Sequence, residues 1–155
     1  MDQTSLYYGL LSVLLVGLPI ALLIYSSKAK RKKIINEFLQ EAKSAGLEVD
    51  SYESLSTTRL IGIDTQNKAI ITKDLNDKTP KASVYPFRKT DTISVKETKS
   101  TRDKSLYEKV SIHIKNGSQS SAEIVFYDIE TDDMFSGYQL AQKALEWQSK
   151  IASAV

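Results

Sequence analysis

The chain has 155 residues and no cysteine, which excludes disulfides and thiolate metal sites. Its net charge is +2, but without the five basic residues at 28–33 and Asp2, residues 34–155 carry 16 basic and 18 acidic side chains. A net charge of −2 over those residues offers no overall positive charge to a phosphate backbone, which disfavours nucleic-acid binding.

An uncharged stretch of 20 residues, Leu6–Tyr25, lies near the N-terminus. A helix rises about 1.5 Å per residue, so this stretch matches the roughly 30 Å hydrocarbon core of a bilayer. A signal peptide is disfavoured because no Lys or Arg precedes the stretch and no A-x-A cleavage site follows it. We predict a single transmembrane helix within residues 1–27. Gly17 and Ala21 form a small-xxx-small pair, which is either ordinary membrane composition or a contact for a second helix.

A basic run follows the span directly and contains Lys28, Lys30, Arg31, Lys32 and Lys33. Lys and Arg beside a span stay on the cytoplasmic side, and none precedes this span. The N-terminus is therefore expected outside and the remaining chain in the cytoplasm. Clustered cations beside a span also attract anionic lipid headgroups. The run is thus a topology signal and, as the alternative that we keep open, a membrane-surface site for lipid headgroups.

Helical periodicity continues over Ile34–Ala45, where apolar side chains recur on one face. Gly46 predicts the C-terminal end of this helix. The basic run holds no Gly or Pro, so the membrane helix can continue into this one without a break. We assign 28–46 to a basic juxtamembrane segment with an amphipathic helix, and 47–155 to a cytoplasmic domain.

The apolar pattern then changes from a period of 3.6 to a period of two, which indicates strands. The strands expected are Arg59–Thr65, Lys68–Lys73, Ala82–Phe87, Thr92–Thr98, Tyr107–Lys115 and Ala122–Ile129, with Val49–Ser56 irregular or a short strand. The segments between these strands have the lengths typical of hairpin connections. About six to seven strands should therefore form a single antiparallel sheet that curls or closes.

A helix is predicted from about Asp133 to Ala152, with Asp132, Asp133 and Ser136 suited to its N-terminus. Its broad apolar face is expected to contain Phe135, Tyr138, Ala141, Ala144, Leu145, Trp147 and Ile151. We expect the helix to close the open end of the curled sheet. The neighbours expected for a buried Trp147 include Ile61, Ile93, Ile112 and Val125.

Residues suited to catalysis or metal binding are few. His113 is the one histidine, and a nucleophilic serine would have to use it. No Gly-rich phosphate loop and no Gly-x-Ser-x-Gly elbow occurs. The acidic run at 128–133 does not fit a calcium loop, because Asp133 stands where Gly is needed and Gln139 where Glu is needed. We interpret this run as a strand end and a helix cap, and predict no enzyme, no cofactor and no metal site.

Three groups of residues carry a resemblance to a known family. They are R-L-I-G-I-D at 59–64 with N-K at 67–68, V-Y-P-F at 84–87 with D-T-I-S-V at 91–95, and Tyr138 with Trp147. In this order the chain resembles bacterial pleckstrin-homology-like domain proteins with an N-terminal membrane anchor, over about residues 55–152. The resemblance implies an α+β fold in which a curled antiparallel sheet is closed by a C-terminal helix. It implies a binding scaffold, although the basic loop that phosphoinositide-binding members use is missing between the first two strands, at 65–68.

Two functions follow from these expectations. The first is a single-pass protein of the bacterial inner membrane whose cytoplasmic domain is an interaction module or scaffold. Its partner is another protein, or a second copy bound through the membrane or juxtamembrane helix. The second is a sensor of anionic lipid headgroups that uses the basic run. An enzyme acting on a membrane substrate is disfavoured because no site for it is found.

Overall fold

The structure is a computed structural model that describes residues 3–78, 80–101, 103–116 and 119–154. The side chains of residues 3–14, 16–24, 116 and 119–121 lie outside this description. The chain divides into two compact units, Met1–Glu37 and Phe38–Val155. The first unit is helical, and the second contains two sheets and a C-terminal helix.

One helix, α1, spans Gln3–Ser44, so the continuity expected between the two N-terminal helices is confirmed. Its predicted end at Gly46 is also confirmed. Gly46 has φ +78°, and the amide of Leu47 donates to the carbonyl of Ala42 at 3.0 Å, as in a Schellman turn.

The predicted span, Leu6–Tyr25, lies mostly outside the residues whose side chains are described. Of that stretch only Leu15 and Tyr25 have described side chains, and both are exposed. Gly17 and Ala21 also lie outside the described side chains. Among the residues that are described, no helix is long and apolar enough to cross a membrane.

The described residues contain seven antiparallel strands in two sheets. Sheet A has the order β1–β2–β3–β4, from Ser51–Ser54, Arg59–Asp64, Ala69–Asp74 and Ser83–Pro86. Sheet B has the order β5–β6–β7, from Thr92–Lys99, Tyr107–Asn116 and Gln119–Asp128. The α+β class, the number of strands and their antiparallel pairing are confirmed.

The expected single curled sheet is wrong, because the ladder is interrupted between β4 and β5. Pro86 ends β4 and has no amide to continue the pairing. The buried Phe87 follows, and a tight turn then redirects the chain, with the amide of Arg88 donating to the Asp91 carboxylate at 2.8 Å. The described strands therefore leave two open sheets rather than one that closes.

Strand β2 is buried at all six positions, so both faces of sheet A are covered there. Ile61 and Ile63 enter the main core, whereas Gly62 faces the opposite side. A Cβ at Gly62 would lie 2.9 Å from Val49 and 3.3 Å from Phe38, so the end of α1 packs closely on this outer face.

Helix α2, Gly137–Ser153, follows a short 3₁₀ helix at Met134–Ser136 and packs on all three strands of sheet B. The burial predicted for Trp147 is confirmed, since 1% of it is exposed. Its indole donates to Glu53 of β1 at 3.0 Å. The turn at Met134–Ser136 is a 3₁₀ helix, whereas a continuous α-helix was expected from about Asp133.

The predicted apolar face of this helix is wrong at three positions, because Phe135, Tyr138 and Leu145 are 82%, 65% and 41% exposed. At about 100° per residue, Tyr138 and Leu145 lie well away from the sector that contains Trp147. One sheet can cover only one sector of a helix. The residues that it buries are Leu140, Ala141, Ala144, Trp147 and Ile151.

The expected neighbours of Trp147 are correct for Ile61 and Ile112, which share its core cluster, and for Ile93, which packs against it. Val125 does not belong to that cluster. A β-bulge between Val110 and Ser111 breaks the alternation of β7. Phe126 and Tyr127 therefore both enter the core, and Val125 pairs with Ser111 on the other face.

Candidate functional site

A cleft of about 140 Å³ lies in the second unit and is lined by residues from both sheets. The residues that define it include Arg59, Thr72, Lys73, Tyr85, Glu123 and Ile124. Strands β3 and β4 form one wall and β7 the other. Because Lys and Arg line it, the cleft is a candidate binding site for an anionic ligand.

The two buried cations of the cleft are already neutralised. Arg59, 6% exposed, donates through Nε to Asp74 at 2.9 Å and through a terminal nitrogen to Asp132, whose side chain is 2% exposed. Lys73, 5% exposed, binds Glu41 of α1 with Nζ and Oε1 2.5 Å apart. An anionic ligand would have to compete with carboxylates that already occupy these positions, so the cleft is poorly suited to a phosphate headgroup.

Glu41 is held in its charged form at this point. Burial alone would raise its pKa, but the hydrogen bond from Lys73 and the bond from the amide of Ala82, at 2.8 Å, outweigh it and lower the pKa. Glu41 therefore joins the last turns of α1 to β3 and to the segment before β4. Its role in the structure is to fix these elements together.

A serine, a histidine and a carboxylate meet on the outer face of sheet B. His113 Nε2 lies 3.1 Å from Ser111 Oγ and 3.6 Å from Glu123 Oε1. In a catalytic triad the serine and the carboxylate contact different ring nitrogens, whereas here both contact Nε2. Lys109, 2.9 Å from Glu123, also lowers the pKa of that carboxyl. Ser111 and Glu123 thus share one ring nitrogen, so the group lacks the carboxylate on the second ring nitrogen that a catalytic triad requires.

The acidic run at 128–133 is used in local hydrogen bonds. The Asp128 side chain accepts from the amide of Glu130 at 3.0 Å, and Asp132 accepts from the amide of Asp128 at 2.9 Å. Asp133 is the N-cap of the 3₁₀ helix and accepts from the amide of Phe135, which confirms the capping prediction for this residue. Ser136 is the N-cap of α2, but its side chain makes no capping hydrogen bond. In the part of the chain that the structure describes, no three metal-ligating side chains converge.

Exposed apolar side chains, which we call the 129–138 patch, lie within this run and directly after it. The patch consists of Ile129, Met134, Phe135 and Tyr138, with exposed fractions of 36%, 46%, 82% and 65%. Large apolar side chains exposed close together in sequence on a folded domain are candidates for an interaction site. The apolar periodicity predicts Phe135 and Tyr138 on the buried face of the helix, and this prediction is wrong for both.

The start of α2 holds this patch in position. A Cβ at Gly137 would lie 3.2 Å from the Tyr127 ring and from Tyr107 Cβ, so the backbone approaches both tyrosines closely. Ser136 Oγ donates to the carbonyl of Asp133 at 2.6 Å. The patch is thus presented on an ordered turn, which reduces the conformational entropy lost when a partner binds.

The predicted lipid-headgroup residues Lys28, Lys30, Arg31, Lys32 and Lys33 are all exposed. At about 100° and 1.5 Å per residue they surround the helix over about 7.5 Å of its length. Lys33 lies 3.8 Å from Glu37, a weak exposed pair. The structure therefore places these cations in a ring, which we call the basic ring, rather than on one face.

No protein-family model, curated protein or solved structure matches this chain. The function therefore has to be argued from the 129–138 patch, the basic ring and the cleft. Of these three, the 129–138 patch contains residues that the apolar period wrongly predicted to be buried. The sequence held one indication of their exposure, because the apolar sector of the helix is wider than one sheet can cover.

Proposed function

We propose that this protein is a membrane-anchored cytoplasmic interaction module, with a pleckstrin-homology-like domain that binds a protein partner or a second copy at the bacterial inner membrane. The observation that carries the proposal is the 129–138 patch, where Phe135 and Tyr138 are 82% and 65% exposed on an ordered turn. Aromatic side chains of this kind are enriched among the residues that dominate binding energy at protein interfaces.

The order of elements supports the choice of a binding scaffold. Seven antiparallel strands precede one helix with a buried Trp147, which is the order on which the family resemblance rests. The membrane anchor is supported by the uncharged Leu6–Tyr25 stretch and by the cations that follow it. Together these features suggest a domain held at a membrane surface to recruit a partner.

A photo-crosslinking amino acid at Phe135 of the full chain, expressed in its own membranes, tests this proposal. Illumination should give a discrete adduct, and Tyr138→Ser should reduce its yield because the patch then loses its other exposed aromatic side chain. The same amino acid at Lys89, an exposed position in the turn before β5, is the matched control. Equal labelling at the two positions, or none at Phe135, would contradict a binding role for the patch.

A sensor of anionic lipid headgroups is the second candidate, and the basic ring favours it. Each Lys or Arg near an anionic surface contributes about 1 kcal/mol, and exposed side chains on all sides of a helix reach headgroups in every direction. The full chain labelled at Ser27→Cys can be reconstituted in vesicles with and without anionic lipid. Enrichment of a labelled anionic lipid around the native protein, lost when Lys30, Arg31 and Lys32 become Gln, would support it.

A further inference from the structure

We propose that the partner of α2 is a second copy of this chain, bound through a two-fold antiparallel contact between the two α2 helices centred on Leu145. The inference rests on the proposed function, since it names the occupant of the surface that begins at the 129–138 patch. It concerns the helix beyond the patch, from Tyr138 to Ala152.

The outer side of α2 carries an uncharged line of residues, which we call the α2 stripe. It consists of Tyr138, Gln142, Leu145, Ser149 and Ala152, all exposed. At about 100° per residue these five lie within about 40° of one line and extend over about 21 Å. Spacings of four, three, four and three residues are those of a helix–helix seam.

The charged residues of α2 lie off the stripe, and two of them bind the domain itself. Lys143 forms an ion pair with Glu53, and Lys150 donates to Ser51 at 3.0 Å. Glu146 lies on the flank. The soluble part of the chain has a net negative charge, so the uncharged stripe is a line along which two copies can approach without mutual repulsion.

The sizes of the side chains favour an antiparallel arrangement. Tyr138 and Ala152 each lie seven residues from Leu145, so a two-fold axis at Leu145 places each Tyr138 on the Ala152 of the other copy. A parallel arrangement would place the two tyrosines together and leave the two alanines apart. Large residues facing small ones allow the two helices to approach to the usual 8–10 Å, as close-packed helices do.

A common membrane makes a second copy the appropriate occupant. Under the proposed function, copies anchored in one bilayer all present their second unit on the same side of the membrane. Confinement to a surface also raises the effective concentration of one copy around another. A modest contact, with Leu145 41% and Tyr138 65% exposed in the single chain, can therefore be populated.

Single cysteines test the contact directly, because the native chain has none. In membranes under mild oxidation, the full chain with Leu145→Cys should form disulfide-linked dimers several-fold more readily than Gln139→Cys, an exposed position on the same helix off the stripe. Tyr138→Cys mixed with Ala152→Cys should crosslink across variants more than within either. Equal crosslinking at Leu145 and Gln139, or preferred Tyr138–Tyr138 crosslinks, would overturn the proposal.

Opposite charges at the two-fold axis give a second test that does not depend on oxidation. Leu145→Glu and Leu145→Lys should each lose self-association, because like charges meet at the axis, and the two variants mixed should regain it. Trp147 fluorescence reports that each variant is folded. If the Leu145 variants behave as the native chain while the adduct at Phe135 persists, the second copy is wrong and the proposed interaction function stands with another partner.

Discussion

Asp64 connects three backbone segments through one carboxylate. It is fully buried, and its oxygens accept from the amide of Glu48 at 2.7 Å and from the amide and side-chain nitrogen of Asn67 at 2.8 and 2.7 Å. Burial would raise its pKa, but these hydrogen bonds outweigh it, and the pKa is lowered. The I-D-x-x-N-K motif is thus explained by a structural hydrogen-bond network at the first long hairpin.

Because the pKa of Asp64 is lowered in the folded state, its contribution to the free energy of unfolding is present above an ordinary aspartate pKa of about 3.9 and is lost as the pH falls below it. Asp64→Asn should cost about 1.5–3 kcal/mol at pH 7 and flatten the acid side of the stability curve. Urea unfolding at a series of pH values measures both the loss of stability at pH 7 and the change in its pH dependence. Asp77→Asn, at an exposed loop position, should change neither.

Trp147→Ala should lower the free energy of unfolding by about 3–5 kcal/mol, because a buried aromatic is replaced by a cavity. A domain of this size has only about 5–15 kcal/mol in total, so the transition midpoint should fall sharply. Trp147→Phe keeps most of the packing and loses the bond to Glu53, so it should cost less. Emission of the native protein at the wavelength of exposed indole would contradict the packing described for this residue.

At the scale of elements, the end of α1 and strand β2 depend on each other. Phe38 and Ala42 are 0% and 1% exposed, and Gly62 provides the space in which Phe38 and Val49 pack. The Glu41–Lys73 pair fixes the same helix turns to β3. The outer face of sheet A is therefore completed by the last turns of α1, from Phe38 on, which belong to the second unit.

Gly62→Ala tests this packing. Ala in a strand interior is ordinarily better than Gly, but here its Cβ would lie 2.9 Å from Val49 and 3.2 Å from Ile71. Overpacking of this kind costs about 1–3 kcal/mol, so the thermal midpoint should fall. Adding Val49→Ala should recover part of the loss. A rise in the midpoint with Gly62→Ala alone would show that the helix end does not press on β2.

At the scale of the whole second unit, α2 joins one edge of each sheet. Trp147 donates to Glu53 of β1, and Gln148 donates to the carbonyl of Ile93 in β5 at 2.9 Å. The opposite edges, β4 and β7, contribute to the walls of the cleft. Helix α2 therefore links the two sheets at their β1 and β5 edges, whereas strand pairing would have linked them in a single curled sheet.

The orientation of the chain in the membrane is a prediction that belongs to this scale. A reporter active only in the cytoplasm, fused to the C-terminus, should give signal, and one active only outside should not, because the cations follow the span. Replacing Lys30, Arg31, Lys32 and Lys33 with Asn should weaken this preference. A signal from the external reporter on the native chain would refute the assigned topology.

The sequence by itself determined the local elements. Hydrophobic period, the Gly46 stop, the Asp133 cap and the turn residues are properties of neighbouring residues, so strands, helices and most of their ends could be predicted from them. The burial of Trp147 was also predictable, because a helix with a wide apolar sector needs a sheet to cover it. The uncharged stretch and the basic run likewise predict a membrane anchor from composition alone.

Only the tertiary structure decided which apolar residues stay outside. Tyr138 and Leu145 fit the helical period as well as Trp147 does, but sheet B covers one sector of α2 and leaves theirs to solvent. Phe135 lies in the 3₁₀ turn before α2 and is exposed as well. The bulge in β7, the interruption after Pro86 and the space at Gly62 depend on contacts between segments distant in sequence. Such contacts are set by the geometry of packing, which the period of a single segment does not contain, and they determine the surface on which the proposed function rests.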